Sequence, residues 1–214
     1  MSTSTRWTVA VLVVVVALGV ALWTQLGDGP GPTSPVGQFQ PREHRDADTP
    51  EALAGPRARA DLPPCSVGTG PGPAQLRDIT LECAGDGERV SAATAVAGRP
   101  TVLNLWAYWC APCAQELPAM AEYQRRAGST VTVLTVHQDE NEEAALLRLA
   151  DLGVRLPTLQ DGRRLIAAAL RLPNVMPATV VLRADGSVAE VLPRSFANAD
   201  EIAAAVDPKI GVPA

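Results

Sequence analysis

Hydrophobic and polar positions divide this chain into three stretches. From Val9 to Trp23 no residue is charged or strongly polar, and with Trp7, Thr8 and Thr24 the run reaches eighteen residues. A helix of about 17–25 such residues spans a bilayer, and the flanking tryptophans sit where interfacial rings are favoured. Arg6 precedes the run and Asp28 is the first charge after it. The excess of positive charge on the amino-terminal side predicts a single-pass anchor over residues 7–26, with the start in the cytoplasm and the rest outside the cell membrane. The rival is a cleaved signal peptide, for which Gly19 and Ala21 offer a weak cleavage site. Both deliver the remaining chain to the same side.

The second stretch, residues 27–64, shows no apolar periodicity. Ten of the nineteen prolines fall between Pro30 and Pro73. Such a segment buries too little apolar surface to offset its ordering entropy, which predicts a disordered, semi-extended linker. His44 lies inside it and is expected to be solvent-exposed and silent.

From about residue 78 apolar runs alternate between two periods. Ile79 to Cys83 reads as a short strand closed by Gly85-Asp86-Gly87. Thr101 to Ala107 is a near-continuous apolar run, the pattern of a strand buried on both faces. Ala114 to Arg126 reads as a helix, and Thr130 to Val136 as a second buried strand. Asn141 to Leu152 has a capping asparagine, two glutamates in its first turn and a terminating Gly153. Arg164 to Leu170 is a shorter helix. Ala178 to Arg183 and Val188 to Leu192 form a hairpin over Ala184-Asp185-Gly186-Ser187, and Asn198 to Val206 is the closing helix. This alternation predicts an α/β domain over residues 65–214 with a mixed central sheet flanked by helices.

Composition narrows the function. Apolar residues make up 47% of the 214, enough for a packed core, and the net charge of −5 argues against nucleic acid as a partner. A single lysine stands beside seventeen arginines. Four cysteines and two histidines leave little material for a structural metal site, and no metal is expected. His137, at a strand end, is read as structural.

The chemistry concentrates in Trp109-Cys110-Ala111-Pro112-Cys113, where a buried strand hands over to a helix. A cysteine at a helix N-terminus faces unpaired N–H groups and the positive end of the macrodipole, which lowers its pKa and favours the thiolate that performs disulfide exchange. Cys113 lies one turn on, close enough to close a disulfide. Pro112 lacks an N–H in a turn whose donors have no intrahelical partners. Half of a zinc site and an inert structural disulfide are the competing readings.

The run Val102-Leu103-Asn104-Leu105-Trp106-Ala107-Tyr108-Trp109-Cys110-Ala111-Pro112-Cys113-Ala114-Gln115-Glu116-Leu117-Pro118 resembles the TlpA-like family, membrane-anchored thiol–disulfide oxidoreductases of thioredoxin-like fold, in its actinobacterial type. The likeness covers roughly residues 75–206 and continues through Gly153–Asp161, Val175–Thr179 and Asp185-Gly186. It implies catalytic roles for Cys110, Cys113, Glu116 and Pro177. Glu116 shares a helix face with Cys113, and its carboxylate can relay the Cys113 proton. Pro177 corresponds to a cis-proline beside the dithiol, with Met176 before it and Trp109 at the rim of a substrate groove. Asn104, where thioredoxins proper usually carry an acid, needs a buried hydrogen-bond partner; Pro118 is read as a structural kink. No cofactor is implied, because the dithiol is the redox group. The resemblance also implies a membrane thiol donor of the CcdA type and, as a client, the heme-binding cysteine pair of apocytochrome c.

Of three possible cysteine pairings, two consume the CxxC, so the economical one joins Cys65 to Cys83 as a structural staple; a second redox relay is the alternative. Two other functions stay open: a disulfide-forming oxidant using the same residues, and a tethered binding module whose CxxC only stabilises.

Overall fold

Strand β3 (Thr101–Trp106) is buried at all six positions because it lies deep in a seven-stranded sheet. The sheet runs β2-β1-β5-β4-β3-β6-β7, with β1 Thr80–Cys83, β2 Arg89–Ser91, β4 Thr132–His137, β5 Thr158–Gln160, β6 Ala178–Leu182 and β7 Val188–Leu192. β3, β4 and β5 are mutually parallel, and the remaining pairings are antiparallel. This computed structural model describes residues 42–70 and 72–211, together with the single position Val16. The anchor expected over residues 7–26 and the tether up to residue 41 lie outside the described stretches. Among the described residues no helix is long and apolar enough to cross a membrane.

Side chains alternate across β3 and fill two cores. Val102 and Trp106 meet Leu117, Met120 and Tyr123 of α3 (Ala111–Ala127), Leu149 of α4 (Glu142–Leu152), and Ile202 and Val206 of α6 (Ala199–Ile210). Leu103 and Leu105 face the opposite way, toward α2 (Ala92–Ala95) and Ile166 of α5 (Leu165–Ala169). Covering both faces places the end of β3 and the start of α3 at one edge of a closed sandwich.

The expected linker is ordered from residue 42 and contains helix α1 (Pro50–Ala60), which packs on α4. Thr49 caps α1 by accepting the Ala52 N–H, and Leu53 and Ala60 bury themselves against Ala84 and Leu146. Full burial of one leucine contributes about 2 kcal/mol, which with the polar contacts that follow offsets the cost of Gly55 and Pro56 inside the helix. His44 is likewise not silent. Its Nε2 lies 3.3 Å from Glu82 Oε2 and 3.2 Å from Glu142 Oε2, and Arg57 donates to the other oxygen of each glutamate. The two adjacent glutamates, Glu142 foremost, raise the His44 pKa to about 10, which makes it a second cation beside Arg57. Burial pushes Glu82 up, but His44 and Arg57 outweigh it and hold its carboxyl below the ordinary range. Just beyond, the Arg45 N–H bonds the Glu140 carbonyl at 3.1 Å and Asp48 accepts the Glu142 N–H at 2.9 Å, strapping residues 42–48 over the loop after β4.

Cys65 and Cys83 form a disulfide that joins the segment before β1 to the end of β1. That segment lies tightly on the domain: the Gly68 N–H bonds Thr94 O at 2.8 Å, and a Cβ at Gly68 would meet Ala97 O at 1.9 Å. Only glycine allows so close a backbone approach.

Candidate redox site

β3 ends at Trp106, and three residues later the chain turns into α3 with Cys110 as its N-cap. Cys110 Sγ accepts the Cys113 N–H at 3.3 Å, so one orphan donor of the first turn points at the sulfur. Pro112 occupies this turn without removing a needed hydrogen bond. Cys110 and Cys113 are joined as a disulfide. Cys110 is 5% exposed and Cys113 0%, so the first sulfur is the one a substrate can reach.

Glu116 lies three residues beyond Cys113 on the same helix, with its side chain fully buried. Asn104 Nδ2 donates to Glu116 Oε2 at 3.2 Å and approaches Thr179 Oγ1 at 3.4 Å, which ties the central strand to α3 and β6. The other oxygen, Oε1, has no hydrogen-bond partner. Burial raises the pKa of this carboxyl from the usual 4.5 to about 7, against the opposing pull of the Asn104 amide, the Phe196 backbone and Arg194. A group balanced near neutrality can both take and return a proton. α3 runs on through Pro118 as one helix of 17 residues.

Trp109 is 56% exposed and its Nε1 donates to Asp139 Oδ2 at 3.0 Å, which fixes the indole at the rim. The Met176–Pro177 peptide bond is cis, Pro177 is buried and Met176 half-buried. Trp109, Cys110, Ala111, Pro112 and Met176 line one groove of about 600 Å³. Of the expected site residues, Trp109, Cys110, Pro112 and Met176 line the groove, Cys113 and Glu116 follow on α3 with Asn104 bonded to Glu116, and Pro177 adjoins Met176. Cys65 and Cys83 lie off to the side at β1, which β5 and β4 separate from β3. Sequence reasoning missed Gln138, Arg164, Asn174 and Val175, which complete the groove wall. They come from the loops after β4, β5 and α5, and apart from Val175, which opens the run Val175–Thr179, no local motif marks them.

His137 is buried and neutral. Burial lowers its pKa to about 4, its Nδ1 lies 2.8 Å from Gln160 Oε1, and Nε2 accepts the Tyr108 N–H at 3.4 Å. It holds the loop before Cys110 in place. Among the described residues one trio, His44, Glu82 and Glu142, has converging ligand atoms, and Arg57 already neutralises it.

Residues 74–191, more than half of the chain, match the model of the AhpC/TSA family. The thiol-disulfide oxidoreductase ResA of Bacillus subtilis is 29% identical over 96 residues, covering 44% of this chain and 53% of that protein. The chain thus spans about half the length of curated relatives of this kind. Among solved structures, DsbF from MTB superposes with a TM-score of 0.57 at 24% identity, covering 64% of this chain and 98% of that one. A DsbF homologue from Corynebacterium diphtheriae gives 0.56 at 27% identity, over 67% and 91%. These superpositions make the fold thioredoxin-like, an α/β architecture with a mixed sheet.

Proposed function

The chain belongs to the AhpC/TSA family, and from that premise we propose that it is a thiol–disulfide oxidoreductase of the TlpA-like, membrane-anchored type, reducing disulfides of exported proteins through Cys110 and Cys113. One observation carries the reading: an N-capping cysteine is paired with a buried carboxyl, Glu116, held near neutral pKa one turn beyond the second cysteine. An inert structural disulfide needs neither feature.

In the dithiol form the Cys110 thiolate attacks one sulfur of a client disulfide. A Cys110–client S–S bond forms, the client bond breaks, and the displaced client sulfur leaves as a thiolate that takes up a proton. Ionised Glu116 then accepts the Cys113 proton. Cys113 Sγ attacks Cys110 Sγ, closes the intramolecular disulfide and expels the second client sulfur, which takes up the proton from Glu116. The client gains two electrons and two protons, and the chain is left with Cys110 and Cys113 joined. Pro177 shapes the docking groove, the Met176 backbone pairs with the client, and Trp109 forms the rim. Asn104 orients Glu116, and Pro112 shapes the first turn of α3.

The dithiol is the redox group, so the proposal calls for no cofactor. Residues 7–26 anchor the chain in the cell membrane with the domain outside, electrons return from a membrane thiol donor of the CcdA type, and the client is the apocytochrome c cysteine pair. The test is disulfide reduction in insulin by the reduced chain together with the potential of the Cys110–Cys113 couple. Activity abolished by Cys110→Ser and a potential near −270 mV, thioredoxin's value, are the expected results. A potential near −120 mV, that of a strong oxidant, would make the chain a disulfide-forming enzyme and end the cytochrome reading.

A further inference from the structure

We propose that Arg163, Arg164 and Arg171, beside the groove, form a docking face for acidic protein segments, so that client disulfides flanked by Asp or Glu are the preferred substrates. The proposal rests on the thiol–disulfide reading of the site above.

Arg164 and Asn174 line the groove at Cys110 and also a neighbouring hollow of about 320 Å³, whose other walls include Arg163 and Arg171. The two depressions adjoin across Arg164 and Asn174, so a segment seated against Cys110 and running past these two residues reaches the other arginines. Among the described residues none of these three arginines pairs with a carboxylate, whereas eight other arginines do. Asp161, just before them, is buried and spends both oxygens on the Leu165 and Ile166 N–H groups, at 2.8 and 2.9 Å. Three arginines without an ion-pair partner, one of them lining the groove at Cys110, run against a chain whose net charge is −5.

Two donors in the groove wall also lack acceptors. Gln138 is only 5% exposed and its Nε2 has no partner, and the buried Nε of Arg164 has none although its Nη1 donates to Asn174 Oδ1 at 2.7 Å. Buried donors without acceptors are costly, and a bound segment rich in carbonyl and carboxylate oxygens supplies what they lack. Arg164 and Arg171, which flank α5, both have left-handed backbone, φ 57° and 53°, a region that non-glycine residues avoid. Asp139, which accepts the Trp109 indole N–H at 3.0 Å, already has a donor of its own. Among the described residues the groove lining contains Arg164 and no carboxylate, so an acidic flank of a bound segment meets no like charge there.

The test uses the reduced 214-residue chain and three synthetic peptides that share one disulfide, flanked by Asp/Glu, by Ser or by Lys. Expected values of kcat/KM fall in that order, with about a tenfold span between acidic and basic peptides at low salt and a narrower one at high salt. In Arg163→Glu/Arg171→Glu the order of the three peptides reverses, with the acidic peptide now the slowest. Equal rates for all three peptides, or an unchanged preference in the double variant, overturn the docking face alone. If the Ser peptide is not reduced at all, the thiol–disulfide reading falls and takes this one with it.

Discussion

A carboxyl group with no solvent contact and one hydrogen-bond donor is a poor place for a negative charge, and Glu116 is held there by Asn104 at 3.2 Å. Its pKa is raised in the folded state, so between about 4.5 and 7 the native chain binds a proton that the unfolded chain has released. Stability contributed by the neutral form is complete below this window and is lost as pH rises through it, by about 3 kcal/mol at most. Glu116→Gln cannot lose its proton, so denaturant titrations are expected to show the variant gaining on the parent from pH 5 to 8. Over the same range its disulfide-reduction rate should fall roughly 10²-fold, because the Cys113 proton has no acceptor. A variant that is more stable yet slower separates a proton relay from a merely structural glutamate; equal rates would count against the relay.

At the level of elements, the parts legible in the sequence were those whose signals are local. β3 announced itself by an apolar run broken only at Asn104, α4 by its cap and first-turn glutamates, and the CxxC by its place between strand and helix. α1 was illegible because Gly55 and Pro56 interrupt it, and only Leu53 and Ala60 are buried on it. Its stability comes from residues 82 and 142, far along the chain. β5 escaped because three residues between a proline and an aspartate carry no period. Two changes test these elements. Arg57→Met removes a cation from two glutamates, one of them fully buried, and should cost about 3 kcal/mol in chemical denaturation. Cys65→Ser/Cys83→Ser should cost a similar amount, roughly 3 kcal/mol for an eighteen-residue separation, while insulin reduction continues. A folded double variant without turnover would make that pair a redox relay instead of a staple.

Across the whole molecule, the site divides by sequence distance. Cys110, Cys113 and Glu116 share one helix and were readable together, but the opposite wall is assembled from loops after β4, β5 and α5 by the order of strands in the sheet. The ordered unit also begins earlier than composition suggested. A protein starting at residue 65 lacks α1, uncovers Leu146 and leaves Glu142 without Arg57 and His44. Relative to one starting at residue 42, its thermal midpoint should drop by about 10 °C, read by circular dichroism.

The Cys65–Cys83 bond has a mechanical meaning as well. Tension applied to the chain at residue 42 meets α1 and the His44–Arg57 cluster first, contacts that peel one after another. It then reaches Cys65, where a covalent bond diverts the load into β1 and bypasses the residues between the two sulfurs. Only residues 42–64 can pay out, roughly 80 Å of extended chain. In a single-molecule pulling experiment a first extension of about that length should precede any disturbance of the sheet. The domain then carries its own strain relief, and a tug on its amino-terminal side slackens before it reaches the helix that holds Cys110.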